Sequence, residues 1–479
     1  MELILTLDVG TTSVKACLFD RQLRQTALTS REYALQTRGV CAEVEAQVYL
    51  DAAAQCILAL PAEARAKVCA VALTTQGETL LCVDRQGKAL RPAIVWLDSR
   101  AEAQAARLAA ALDRQRFYEC TGLPELSGAL PLAKLLWLRQ QEPESWARTD
   151  KFLLLEDYLM LWLTGRAVTE KSLLTSTGYF DLQSDDYWDE ALALAELDRT
   201  RLPQALACGS IVGPVLPEVA EALGLPASAC VVTGAMDQTA AALAAGCTRP
   251  GTLCETTGTA MVAAAFTAHP QFSEDHHVTI YRHAMPGAYL YLPISNTIGM
   301  SLRWFRDEFC RDLDGGYAAL DRLAEQVPPG AQGVTFLPYL AGNLPEASGG
   351  FYGLRLSSTR AACARAILEA AAFQLRDFLN MLSALGCTAQ TVTSLGGGAG
   401  SALWMQIKAD ACRRPFHTLS TVQATSRGAA MLAAGALGWA LHDAEEQTVY
   451  QPQAETAEAY EEAYAAYRRV YEALYLQKG

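Results

Sequence analysis

The 479-residue chain has no Gly-x-x-x-x-Gly-Lys-Ser/Thr loop, so any nucleotide it binds must rest on another architecture. Its one dense glycine cluster, Gly396 to Gly400, fails the dinucleotide test. Ser401 stands at the last glycine of a Gly-x-Gly-x-x-Gly pattern begun at Gly396, and no acidic residue follows at the expected distance. Fourteen cysteines contain no Cys-x-x-Cys pair, and six histidines include the neighbours His276 and His277 but no His-Glu-x-x-His. Zinc is therefore not expected, and Cys17, Cys69, Cys230 and Cys412, in apolar company, read as reduced buried thiols. No run of Lys and Arg forms a phosphate-tracking stripe, and the net charge of −13 argues against nonspecific nucleic-acid binding. The longest Ala-rich apolar stretch, Ala429 to Leu441, is too short and too glycine-broken to span a bilayer, so no membrane partner is expected. Met1 leads directly into a strand-like run without a leader, which gives a cytoplasmic expectation.

What is present is ordinary for a folded enzyme: 51% hydrophobic and 19% charged residues. The length exceeds one ordinary core and predicts two domains. Two segments resemble one device: Leu5 to Lys15 and Leu253 to Val262 each read as strand, Gly/Thr turn and strand. Such a tip exposes N–H groups and hydroxyls to an anion, and two of them suggest a duplicated fold closing on a polyphosphate. In the first half, helices are predicted at Gln47–Leu60, Arg100–Tyr118, Ala133–Leu138, Leu153–Leu163, Pro214–Leu223 and Ala240–Ala245, with strands at Val68–Thr74, Leu80–Val83 and Ala229–Thr233. In the second, helices are predicted at Gly299–Phe309, Tyr317–Gln326, Ala362–Leu385, Leu403–Cys412 and Glu458–Tyr475, with a strand at Thr391–Leu395. Pro250-Gly251 breaks the chain. The boundary is placed near Gly246, giving domains 1–245 and 246–479.

Asp8, two residues before Gly10, is placed to hold Mg2+ beside phosphates touched by Gly10, Thr11 and Thr12, with Lys15 adding a cation. An Asp that merely caps its own turn is the alternative. The second copy has Thr256 there, so only the first hairpin can bind the metal. Asp237, after an apolar strand, can accept the proton of a hydroxyl that attacks phosphorus, or can serve as a helix N-cap. Gln76, Gly77, Glu78 and Thr79, and the stretch holding Trp96, Asp98 and Arg100, combine amide, carboxylate, guanidinium and indole groups. Those suit a polyhydroxylated ligand, or are polar side chains that simply face water. The glycines of the 396–400 cluster, with Ala399, would let an adenosine lie flat on backbone, or form a plain turn.

Together these pieces resemble the FGGY carbohydrate kinases over nearly the whole chain. The Asp-x-Gly-Thr-Thr hairpin, the Gly-x-x-Asp-Gln turn, the second Thr-Gly-Thr hairpin and the Gly-Gly-Gly-Ala cluster stand in family order. Pro131-x-x-Lys134-Leu135-x-Trp137-Leu138 resembles the first family signature. Gly349-x-Phe351-x-Gly353-Leu354, followed by Arg365 to Glu369, resembles the second. The resemblance implies an α/β fold of two duplicated actin-like (ribonuclease H-like) ATPase domains with ATP and sugar in a central cleft. Closure of that cleft would exclude water. It implies Asp237 as catalytic base and Asp8 at the metal. Thr11 and Thr12 would contact the transferred phosphate, Thr259 beside Gly258 its neighbours, and Gly299, Arg303, Gly397, Gly398 and Ala399 the nucleotide. Gln76, Gly77, Glu78, Trp96, Asp98, Arg100, Asp237 and Gln238 would hold the acceptor.

Departures bear on the substrate. Glycerol kinases carry Gln-Arg-Glu-Thr where this chain has Gln76-Gly77-Glu78-Thr79, and xylulose kinases carry Gln-Met-His. Trp96-x-Asp98-x-Arg100 resembles the xylulose kinase pattern, whereas Asp237-Gln238 resembles glycerol kinase. Ala402 stands where glycerol kinases place an adenosine-contacting Asn. The expectation is an ATP- and Mg2+-dependent kinase acting on a primary hydroxyl of a ketopentose such as xylulose. Alternatives are a glycerol or other polyol kinase and, from another class, a catalytically silent actin-like sugar sensor. A homodimer stays open.

Overall fold

The computed structural model describes residues 2–340, 349–420, 423–440 and 447–476. The chain divides into two compact units. The first comprises Met1–Ala244, Ala268–Leu290 and Gln423–Ala444, the second Ala245–Thr267, Tyr291–Val422 and Glu445–Gly479. A single break near Gly246 assigns the segments after 268 and after 423 to the second half, whereas both pack in the first unit.

The first unit is built on a sheet ordered Ile211–Pro214, Cys230–Val232, Val68–Thr75, Leu3–Val9, Ser13–Phe19 and Gln25–Glu32. The three central strands from Cys230 to Val9 in that order run parallel, and the remaining pairs are antiparallel. The strand Leu3–Val9 is buried on both faces, which is why it reads as a nearly unbroken apolar run. Leu5, Leu7 and Val9 join a core completed by the helices Ala46–Ala59 and Leu155–Thr164. On the opposite face Ile4, Ala70, Ala72 and Val232 meet Ala429, Ala430, Ala433 and Ala434 of the helix Ala424–Ala436. The Ala-rich stretch is thus a sheet-covering helix whose small side chains allow close approach; Leu441, at its expected end, lies outside the described residues. The helix Asp237–Ala244 packs on it so closely that a Cβ on Gly428 would stand 2.0 Å from the Ala240 carbonyl oxygen.

The second unit repeats the plan with the strands Met261–Thr267, Thr252–Thr257, Thr391–Leu395, Phe416–Leu419 and Gln447–Tyr450. Its hairpin is antiparallel, the next two pairings are parallel and the last is antiparallel. The duplication is spatial rather than sequential at the edge. In the first unit the edge strand precedes its neighbour in the chain, and in the second it follows.

Several predicted helices differ from the observed ones; the helix expected from Ala240 begins at Asp237, and the one expected at Ala133–Leu138 runs Pro131–Gln141. Arg100–Tyr118 is two helices, Glu102–Ala111 and Arg114–Thr121, because Asp113 accepts a hydrogen bond from the Arg116 N–H and starts a new one. The run beginning at Leu153 opens as the strand Lys151–Leu154, since a short apolar run does not distinguish strand from helix. The helix expected from Pro214 begins at Pro217, with the proline in its first turn. Among the described residues, no helix is long and apolar enough to cross a membrane.

Candidate active site

The first hairpin pairs Asp8 with Lys15 across the turn, while Asp8 also neighbours Thr74 on the parallel strand. The Lys15 ammonium stands 4.0 Å from the Asp8 carboxylate and donates to the Gln423 side chain at 3.1 Å. Burial raises the Asp8 carboxyl above its ordinary range, and Lys15 opposes that. The tip is tied down on several sides. The Gly10 N–H donates to Ser13 at 3.0 Å, the Tyr33 hydroxyl donates to the Gly10 carbonyl, and the Trp96 indole N–H donates to the Thr11 hydroxyl at 2.9 Å.

The strand Val68–Thr75 extends the pairing by one step, with the Gln76 N–H donating to the Val9 carbonyl at 3.1 Å. This sets Gln76, Gly77 and Glu78 beside the phosphate-type tip. A Cβ on Gly77 would meet Ser176 Oγ at 2.8 Å and Met236 Sδ at 3.3 Å, so the absence of a side chain lets this turn close on the Asp237 segment. Glu78 has φ of 55°, a strained conformation for its residue type. The turn is held by Lys134, which is fully buried and donates to the Val95 carbonyl at 2.9 Å and the Glu78 carbonyl at 3.2 Å. Burial raises the Glu78 carboxyl and lowers the Lys134 ammonium, each opposed by the other's charge. Lys134, the lysine of the first signature motif, thus staples two loops of the site. Asp98 and Arg100, expected at the acceptor, are spent on each other. The guanidinium bonds the buried Asp98 carboxylate at 2.7 Å and Glu43 at 2.7 Å, and it lies over the Trp137 ring; Asp98 also accepts the Ala42 N–H.

Asp237 follows a turn fixed from behind. A Cβ on Gly234 would stand 1.4 Å from the Leu73 carbonyl oxygen. The Gly234 N–H donates to Glu156 at 3.2 Å, and the Met236 N–H donates to Glu170 and to the Ser172 hydroxyl, each at 3.1 Å. Both glutamates are fully buried. Burial, then the neighbouring Glu170 and Asp157, drive the Glu156 carboxyl far above its usual range. In front, the Asp237 carboxylate accepts the Gln238 N–H at 2.6 Å. Burial, followed by the charge of Asp8, raises its pKa to about 7; Glu78 adds to the rise and the Gln238 N–H opposes it. Gln238 follows in the same first helical turn, half-buried. Asp8, Glu78 and Asp237 therefore form one electrostatically linked group.

The second unit holds a cavity of about 510 Å3 around its hairpin tip. Gly258, Thr259, Gly299, Arg303, Gly397 and Gly398, named from the sequence for the nucleotide, line this cavity, whereas Ala399 lies in the same turn but is not part of the lining. Thr256 occupies the position of Asp8 in the strand register, and no carboxylate replaces it. A Cβ on Gly299 would stand 1.7 Å from the Gly258 carbonyl oxygen, so the helix Ile298–Phe309 starts directly on the hairpin tip. Sequence reading missed Tyr317, Asp321 and Trp404 in this lining. Trp404 follows the glycine turn closely in the chain, but the helix Gly316–Ala324 carries no local signal for a ligand.

Among the described residues no group of three or more His, Cys, Asp or Glu side chains forms a metal cage. One recessed carboxylate, Asp8, fits Mg2+, which keeps several waters and is commonly held by one or two carboxylates with phosphate oxygens.

The sequence model described as the FGGY family of carbohydrate kinases, N-terminal domain, matches residues 3–244, and its C-terminal counterpart matches 253–437. The chain is 28% identical to the xylulose kinase of Lactococcus lactis subsp. lactis (strain IL1403), over 98% of this chain and 97% of that one. It is 31% identical to the xylulose kinase of Escherichia coli (strain K12), over 84% of each. The crystal structure of xylulose kinase from Rhodospirillum rubrum matches with a TM-score of 0.91 at 30% identity, covering 99% of both chains. With two matched domain models, a twice-built sheet, and hairpins and glycine turn in place, the chain belongs to the FGGY family of carbohydrate kinases.

Proposed function

We propose that the chain transfers the terminal phosphate of ATP to a primary hydroxyl of a ketopentose such as xylulose. The observation that carries this reading is Asp237, a recessed carboxylate with a pKa of about 7 beside Asp8 and Glu78, on a turn held by two buried glutamates. A base with a pKa near the working pH accepts a proton effectively without being permanently protonated. The acceptor hydroxyl gives its proton to Asp237 as its oxygen attacks the terminal phosphorus. The bond from that phosphorus to the bridging oxygen breaks, and ADP leaves. Bound Mg2+, held at Asp8, would neutralise charge on the phosphate oxygens. Gly10, Thr11 and Thr12 supply donors on the same side, and Lys15 balances Asp8. The second-unit cavity takes the nucleotide. Asp98 and Arg100 act on the acceptor through Trp96, whose loop they brace.

The names of the similar proteins favour xylulose, and Glu78 next to Asp237-Gln238 favours a second reading, glycerol or another polyol. A panel of ketopentoses, aldonates, glycerol and longer polyols, assayed by coupled ADP release, is expected to show kcat/KM for a ketopentose at least tenfold above glycerol. The reverse order would replace the acceptor, and no turnover with any of them would support a silent sensor despite Asp8 and Asp237. Lys134→Met should raise the KM of the best acceptor about tenfold while leaving that of ATP unchanged, because it frees two loop carbonyls from a charged donor. Equal rises in both KM values would contradict the staple role.

A further inference from the structure

Behind the second-unit cavity lies a charge pair outside the chemistry described so far. Lys408 and Glu255 are both fully buried, with Nζ 2.5 Å from Oε1. Both carboxylate oxygens also accept hydroxyls: Ser394 donates to Oε1 at 2.6 Å and Thr257 to Oε2 at 2.7 Å. Thr257 in turn accepts from the Lys408 ammonium at 3.0 Å, and that ammonium lies 4.9 Å from the centre of the Trp404 ring. A buried ion pair is poorly explained by stability, since apolar side chains of similar volume commonly do as well. Its partners are more telling, because Thr257 and Trp404 both line the cavity.

We propose that Lys408 is a positioning residue for the nucleotide, acting with Glu255 to lock Thr257 and Trp404 in place. The inference rests on the reading of this cavity as the nucleotide site. The single hydroxyl proton of Thr257 is committed to Glu255, so its rotamer is fixed. Its Cβ then lies where a Cβ on Gly398 would come within 2.9 Å, which packs the hairpin against the glycine turn. Trp404 is fixed on several sides. Its indole N–H donates to the Leu368 carbonyl at 3.0 Å, its face meets the ammonium, and its edge meets Gly398. One ammonium therefore orients a wall residue and a residue at the base of the phosphate-type tip. An apolar pair could fill the same volume but would hold neither.

The test is titration of the full-length protein with MgADP by calorimetry, alongside thermal unfolding. Lys408→Met should lose both stability and ADP affinity, because it strands Glu255. Lys408→Met with Glu255→Met should recover most of the melting temperature yet bind ADP at least tenfold more weakly than wild type, with the acceptor's KM unchanged. Thr257→Val, which keeps the ion pair and the shape but takes one hydrogen bond from each buried charge, should lower the melting temperature less than Lys408→Met does and weaken ADP binding at least fivefold. Wild-type ADP affinity in either of the last two variants would overturn the proposal. If the double variant fails to fold, Thr257→Val alone decides. Failure of the wild-type protein to bind MgADP would instead overturn the nucleotide reading itself.

Discussion

Asp237→Asn is expected to lower kcat between about 10²- and 10⁴-fold while leaving the protein folded and both ligands bound. The same substitution should stabilise the fold. The folded-state pKa of about 7 lies above the ordinary 3.8, so between those values the folded protein binds more protons than the unfolded chain. Stability is lost as pH rises through that window, and the cost is fully present above pH 7. Asparagine removes it. At pH 8 the variant should unfold later than wild type, by on the order of 2–4 kcal/mol, and at pH 3.5 the two should coincide. In wild type, kcat/KM should climb with pH along an acid limb whose apparent pKa is near 7, because the base must be ionised to take the proton. Chemical denaturation at the two pH values, with a pH–rate profile, checks both statements. An active Asn variant, or one less stable at pH 8, would remove Asp237 from the role.

The hairpins were legible because their signal is local: alternating apolar residues run into Gly and Thr, and the observed pairing of Asp8 with Lys15 follows from that pattern. The strand Thr391–Leu395 is found with its expected bounds for the same reason. The supports of the site were not legible. Lys134, Glu156, Glu170, Glu255 and Lys408 look like solvated charges along the chain, and only the folded structure shows all five buried. Nothing in a charged residue's neighbours in sequence announces the carbonyl or amide waiting for it in space. The pairing of Asp98 with Arg100 was not legible either. Two apart, they read as separate ligand groups, but the bend between them turns the guanidinium back onto the carboxylate. The return of 268–290 to the first unit is a third kind of information, carried by long-range packing such as the Ile280 N–H donating to the Gly122 carbonyl at 2.8 Å.

Two glycines, one in each half, differ in what surrounds them, and this predicts opposite outcomes for one chemical change. Gly234→Ala would place a methyl group 1.4 Å from the carbonyl oxygen of Leu73, in a strand paired on both sides. Backbone so placed cannot yield without breaking the sheet, and the displaced turn carries Asp237. The expected result is a loss of more than about 4 kcal/mol, or failure to accumulate as soluble protein. Gly258→Ala meets nothing within 4 Å, and Gly258 lines the second-unit cavity. Stability there should stay within about 0.5 kcal/mol of wild type. The methyl would instead take space at the phosphate-type tip, and MgADP should bind about tenfold more weakly or worse. Thermal unfolding and ADP titration of the two variants separate a glycine required by the fold from one required by the ligand. A Gly234→Ala protein with wild-type stability would show that the turn before Asp237 has room to move, and the base would then lack the fixed placement that its chemistry needs.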